Sequence, residues 1–166
     1  MTNKDAPNYR IVAVDVDPST AQVVPHVTQL RGGAAAFHEV LPADPVAILT
    51  AATVVDTDKL LVVYSRDVKD ELWLYDLRTG KQRERLLPEL VGTIGQIAAR
   101  REDREAFVSS VSFANPGRIE RVSFEGGAPA VTTYSTTHVA GICADDYEST
   151  QVLSLIHISE PTRPRL

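Results

Sequence analysis

The sequence predicts an all-β chain, a partial β-propeller of about two and a half four-stranded antiparallel blades. Three observations carry that reading. A hairpin-like unit recurs at Arg10–Val24 (RIVAVDVDPSTAQVV), Glu71–Leu86 (ELWLYDLRTGKQRERL) and Arg118–Tyr134 (RIERVSFEGGAPAVTTY). Each copy is an alternating strand that closes on a small polar or acidic residue (Asp15, Asp76, Ser123), then a polar turn, then a second short strand. Equivalent strands in the middle of the chain lie about 46 residues apart, the usual size of one blade. Turn formers stand at nearly every strand junction.

Taken in order, Arg10–Val24 supplies the outer two strands of an earlier blade. Gln29–Pro45 (QLRGGAAAFHEVLPADP) reads as an inter-blade connection with a helical turn around Ala34–Val40, since an Ala-rich run favours helix on propensity. A first complete blade runs through Ala47–Val54, Lys59–Ser65, Glu71–Leu77 and Arg83–Leu87, with turns at Asp56–Asp58, Arg66–Asp70 and Arg78–Lys81. A second runs through Gly92–Ala99, Glu105–Phe113, Arg118–Phe124 and Val131–Ser135, with turns at Arg100–Arg104, Ala114–Gly117 and Glu125–Pro129. Gly80, Gly117 and Gly126–Gly127 are expected in these turns where φ must be positive. Propellers close with about four to eight blades, so this chain is too short to close alone.

The 166 residues suffice for one domain with a core, and 43% hydrophobic and 23% charged residues is an ordinary balance for a water-soluble domain. The net charge is −5, and Arg100, Arg101 and Arg104 are interleaved with Glu102, Asp103 and Glu105. Nucleic-acid binding needs a one-sided basic stripe, so that class is excluded. No apolar run approaches the roughly 18 residues that would read as a membrane span, and the N-terminus has no apolar leader core. A single cysteine, Cys143, forms no intrachain disulfide, which fits a reducing compartment. The expected location is cytoplasmic.

No residue is expected to be catalytic, to bind a cofactor or to ligate a metal. His26, His38, His138 and His157 share no metal-ligand spacing and read as loop or surface residues. Cys143 stands beside Asp145 and Asp146, whose charge opposes the thiolate a nucleophile needs, so a small packing residue is the better reading. Trp73 and Tyr75 share one strand face and are expected to pack between neighbouring sheets rather than line a ligand surface. Gly92 and Gly95 (VGTIGQ) lack the lysine of a phosphate loop and fit a crowded inner strand.

Several short strings together resemble one family. Thr2-Asn3 with Ala6–Arg10 resembles the opening of a late propeller blade in prolyl oligopeptidases. Asp67–Asp70, Leu72 and Asp76–Gly80 resemble the middle hairpins of the next blade, and Ser112–Gly117 its Ser-Phe-x-x-Pro-Gly turn in the last. Asp146–Val152 resembles the segment that leaves the propeller for the catalytic domain. The resemblance implies a serine-type peptidase that cleaves short peptides after proline, with the propeller capping an α/β-hydrolase domain and restricting access. Its partners would be that hydrolase domain and short proline-containing peptides, with no nucleic acid, membrane or cofactor. The family's catalytic Ser, Asp and His lie beyond this chain, in keeping with the lack of a G-x-S-x-G nucleophile elbow, and its substrate-touching propeller residues lie before Met1. A stand-alone binding propeller is the alternative. The expected organisation is a partial propeller over 1–138, an exit segment over 139–152 and a tail over 153–166. That tail, beginning LSLIHISEPTR, resembles a translated sequencing adapter and is set aside from fold reasoning, so the coding sequence is expected to depart near Val152.

Overall fold

The computed structural model describes residues 1–14, 37–113, 115–141 and 147. Ten strands fall in three antiparallel sheets among these residues, and no helix occurs. A two-stranded sheet pairs β1 (Ile11–Val14) with β2 (Phe37–Leu41). The middle sheet runs in order β3 (Ile48–Val55), β4 (Lys59–Arg66), β5 (Lys69–Asp76), β6 (Gln82–Leu86). The last sheet has β7 (Thr93–Ala99), β8 (Glu105–Val111), β9 (Arg118–Ser123) and β10 (Ala130–Thr136) in the same meander. Every strand expected within the two complete blades forms, with ends shifted by one or two residues.

Two expectations are corrected. The segment read as a connection with a helical turn holds strand β2 instead, and it is the described partner of β1. Helix propensity of the Ala run is a weak prior, and Phe37–Leu41 satisfies its backbone by pairing with β1. Asp15–Val24, the rest of the hairpin expected there, lies outside the described residues, as do Ala34–Ala36. Asp70 is also no turn residue: Asp67 and Val68 take φ of 49° and 65° and close a two-residue turn, so Lys69 already pairs with Arg66.

Alternation within each strand sends side chains to two faces, and stacking of the sheets buries both faces of the middle one. Leu60, Val62, Tyr64 and Tyr75 point towards the β1–β2 side, where they meet Leu41, Ala47 and Leu49, with Tyr9, Ile11 and Trp73 partly buried beside them. Leu61, Val63, Leu72, Leu74 and Leu86 point the other way and meet Ala106, Val108, Val122 and Phe124 of the last sheet. Trp73 and Tyr75 thus pack between sheets as expected.

Backbone bonds tie the two large sheets at one end, where Asp56 N donates to Asp103 O and Thr57 N to Arg101 O. At the opposite end Asp70 bridges them, its amide donating to Gly92 O at 2.9 Å and its carboxylate accepting from Ile94 N at 2.8 Å. Gly92 is required by the close pass of β8 in its own sheet, because a Cβ there would stand 2.2 Å from Val111 O. Glycine chemistry in the turns departs in part from expectation. Gly80 and Gly127 do take positive φ, whereas Gly117 and Gly126 do not. A Cβ on Gly117 would instead lie 2.7 Å from Thr137 Oγ1, so proximity sets that position.

Candidate functional site

A cleft of about 860 Å³ opens at the outer side of the two large sheets. The end of β6 and the β6–β7 link, including Leu86 and Leu90, form one wall, and Ser110, Arg118 and Glu120 of the last sheet form the other. The strand period explains the polar wall. Residues 118, 120 and 122 of β9 share a face with Ala106, Val108 and Ser110 of β8, so a charge at position 120 must point inward. Glu120 is 3% exposed and forms an ion pair with Arg118. A carboxylate so buried requires a charged or hydrogen-bonding partner, and the guanidinium two residues earlier on the same strand face supplies it.

A second polar cluster lies on the face of the middle sheet that meets β1–β2. Glu71 stands 3.3 Å from Arg85 and 3.8 Å from Arg66, and accepts a 3.1 Å bond from Trp73 Nε1. Arg85 also stands over the Trp73 ring at 5.9 Å. Asp44 caps the turn before β3, accepting from the amides of Val46 and Ala47, and pairs with Arg66 at 3.2 Å. Burial opposes the Asp44 charge, but the two amides and Arg66 outweigh it and hold its carboxyl below the usual range. Burial pushes the Tyr64 phenol far upward, with Tyr75 as hydrogen-bond partner adding to the shift. At the β5–β6 turn, Arg83 and the Thr79 amide hold the Asp76 carboxyl well below the usual range.

These groups bind one another. In the cleft the Glu120 carboxylate is engaged by Arg118, and no histidine stands among the described lining residues. Among the described residues no group of three or more His, Cys, Asp or Glu side chains is arranged to hold a metal ion. Chemically, the cleft offers a half-polar surface against which another segment can pack.

His138 is exposed after β10, whereas His38 sits within strand β2 rather than in a loop. Cys143, His26 and His157 lie outside the described residues, as does the tail 153–166, and of the expected exit segment 139–152 only residues 139–141 and Tyr147 are described. Asp70 and Glu120 are the structurally decisive polar residues that sequence reasoning passed over. A signal existed for Glu120, an acid at an inward position of the alternating strand RIERVS.

Comparison with known proteins adds a relationship to this geometry. The family model described as prolyl oligopeptidase, N-terminal β-propeller domain, matches residues 1–134. The dual function macrocyclase-peptidase POPB of Amanita bisporigera is 31% identical over 152 residues, a match covering 91% of this chain and 19% of that protein. Prolyl oligopeptidase ophP of Omphalotus olearius is 28% identical over 152 residues, covering 92% and 18% respectively. Among solved structures, apo prolyl oligopeptidase B from Galerina marginata superposes with a TM-score of 0.73 at 29% identity, covering 90% of this chain and 19% of that one. Its H698A mutant, bound to a 35mer hydrolysis and macrocyclization substrate, gives a TM-score of 0.72 at 30% identity over the same shares. The chain therefore spans about a fifth of the length of the relatives it matches.

Proposed function

Because the chain belongs to the prolyl oligopeptidase family, within its N-terminal β-propeller domain, we propose that it is the non-catalytic propeller part of a serine-type endopeptidase. In that role it gates access of short peptides that the parent cleaves after proline, in the cytoplasm. The observation that carries the reading is the family match across residues 1–134, which takes in nine of the ten described strands and most of β10. Stacked sheets suit a gate. Each blade holds its neighbour through apolar faces and a few bonds such as those of Asp70, so an assembled ring is stiff enough to exclude a folded protein. Hydrolysis itself would be acyl transfer by a Ser-His-Asp triad with an oxyanion hole, supplied by a hydrolase domain.

Two measurements test this. The 166-residue chain alone should leave a proline-containing reporter peptide uncut and should not react with a serine-directed covalent inhibitor. Inhibitor-sensitive cleavage would reveal a site in the chain and overturn the non-catalytic assignment. Reading the coding sequence past Val152 should meet a hydrolase domain with a nucleophile elbow, whereas a further closing blade without one would favour a stand-alone binding propeller.

A further inference from the structure

We propose that β10 is a self-pairing edge, through which two copies of this chain join antiparallel, β10 against β10. The inference is independent of the peptidase reading. Two strands occupy the same outer position in their sheets, and they differ in chemistry. The outer strand β6 (QRERL) carries Arg83, Glu84 and Arg85, long charged side chains of the kind that blunt an exposed sheet edge. By contrast β10 (AVTTYST) carries no charge in seven residues and is built of Val, Thr and Tyr, the residues that favour strands. Its first six residues are exposed, and among the described residues only β9 pairs with it. Seven β-prone residues with low charge and no proline or glycine form a ready template for a further strand.

Charge argues for a second copy as the occupant. An antiparallel pair of identical strands is two-fold symmetric, so every side chain meets its own kind or a near neighbour in the strand. A charged edge then sets like charges close together, whereas Ala, Val and Thr meet without that cost. The bulge between Thr133 and Ser135 confines pairing to Ala130–Thr133, and Pro129 bounds it on the other side. Exposed Tyr134, in an edge-to-face contact with Phe107 at 5.1 Å, adds apolar surface beside the seam.

Sedimentation equilibrium of the 166-residue chain over a concentration series should show a monomer–dimer equilibrium. Thr132 faces Arg121 across the β9–β10 pair, so T132E suits the fold while placing two acids at the seam. It should weaken the dimer at least about fivefold, and T132K should do the same. Mixing the two variants should restore a heterodimer near wild-type affinity, a result no unfolded variant can give. Ile119→Glu, on the outer face of the sheet away from the edge, should leave the dimer unchanged. A monomer at every concentration overturns the proposal, as does a dimer indifferent to both Thr132 charges or one broken by Ile119→Glu. Uptake of an uncharged strand-forming peptide of unrelated sequence by a monomeric chain would make a foreign strand, not a second copy, the occupant.

Discussion

The middle sheet β3–β6 and the last sheet β7–β10 share strand order, spacing and even the site of their inner bulge, yet they meet their surroundings differently. Strand β4 (KLLVVYSR) has five consecutive buried residues, and β5 has only one partly exposed position in its central six. Strand β8 (EAFVSSV) alternates, burying only every second residue. Matching positions makes the contrast concrete. Leu61, Val63, Leu72 and Leu74 face the last sheet, and their counterparts Phe107, Ser109, Ile119 and Arg121 face away from the described residues. A strand covered on both sides needs apolar residues at both parities, whereas a one-sided strand needs them at one. The bulges show the same physics on a smaller scale. At Thr50 the hydroxyl donates to Val63 O across the strand pair, while at Gly95 it is the partner's Ser109 hydroxyl that accepts from Gln96 N. A Cβ on Gly95 would stand 3.2 Å from that hydroxyl, so the two bulges place one hydroxyl each on opposite strands.

The largest expected difference between the sheets is in cavity cost. Leu72→Ala, fully buried, should lower stability in urea unfolding by about 3 kcal/mol, whereas the matching Ile119→Ala should cost about 1 kcal/mol or less. Equal losses would break the comparison. Next is the link between the sheets. Asp70→Ala orphans the Ile94 amide and should cost about 2 kcal/mol, with earlier amide exchange in β7 than in β4. Uniform exchange across both sheets would deny Asp70 that linking role.

Acid should act first on the β1–β2 side of the middle sheet. The Asp44 carboxyl is held below its unfolded value, so its contribution is present above about pH 4, the unfolded value, and is lost as pH falls through the lowered folded one. Asp44→Asn should therefore flatten the acid limb of the stability profile, and an unchanged limb would assign acid sensitivity elsewhere. The smallest effect is a gain. Val68 is a β-branched residue held at φ 65° on an exposed turn, and Val68→Gly should raise stability by about 1 kcal/mol. A loss would mean that glycine's greater chain entropy outweighs the relief of strain.

Much of this architecture was legible in the chain. Alternation and turn residues located all eight strands of the two large sheets, because local pattern and tertiary stacking agree there. Phe37–Leu41 was misread since its partner β1 lies far back in sequence, and propensity carries no information about distant pairing. Asp70 was misread as loop because Asp-Val is not a common two-residue hairpin turn, and its left-handed geometry is visible only in the backbone. The cleft could not be read at all, since its two walls come from segments that only stacking brings together.

By itself the sequence determined the unit of construction: an antiparallel four-stranded meander, repeated, with one apolar parity or two. Period-2 patterning is a property of neighbouring residues, and it dictates which side chains share a face whatever lies beyond the strand. Only the tertiary structure decided what each face meets, that Asp70 joins two sheets, and that the acid of Glu120 faces a cleft beside Arg118. Those outcomes depend on bonds and packing between residues tens of positions apart. Their free energy exists only once the sheets are stacked, which no local pattern encodes.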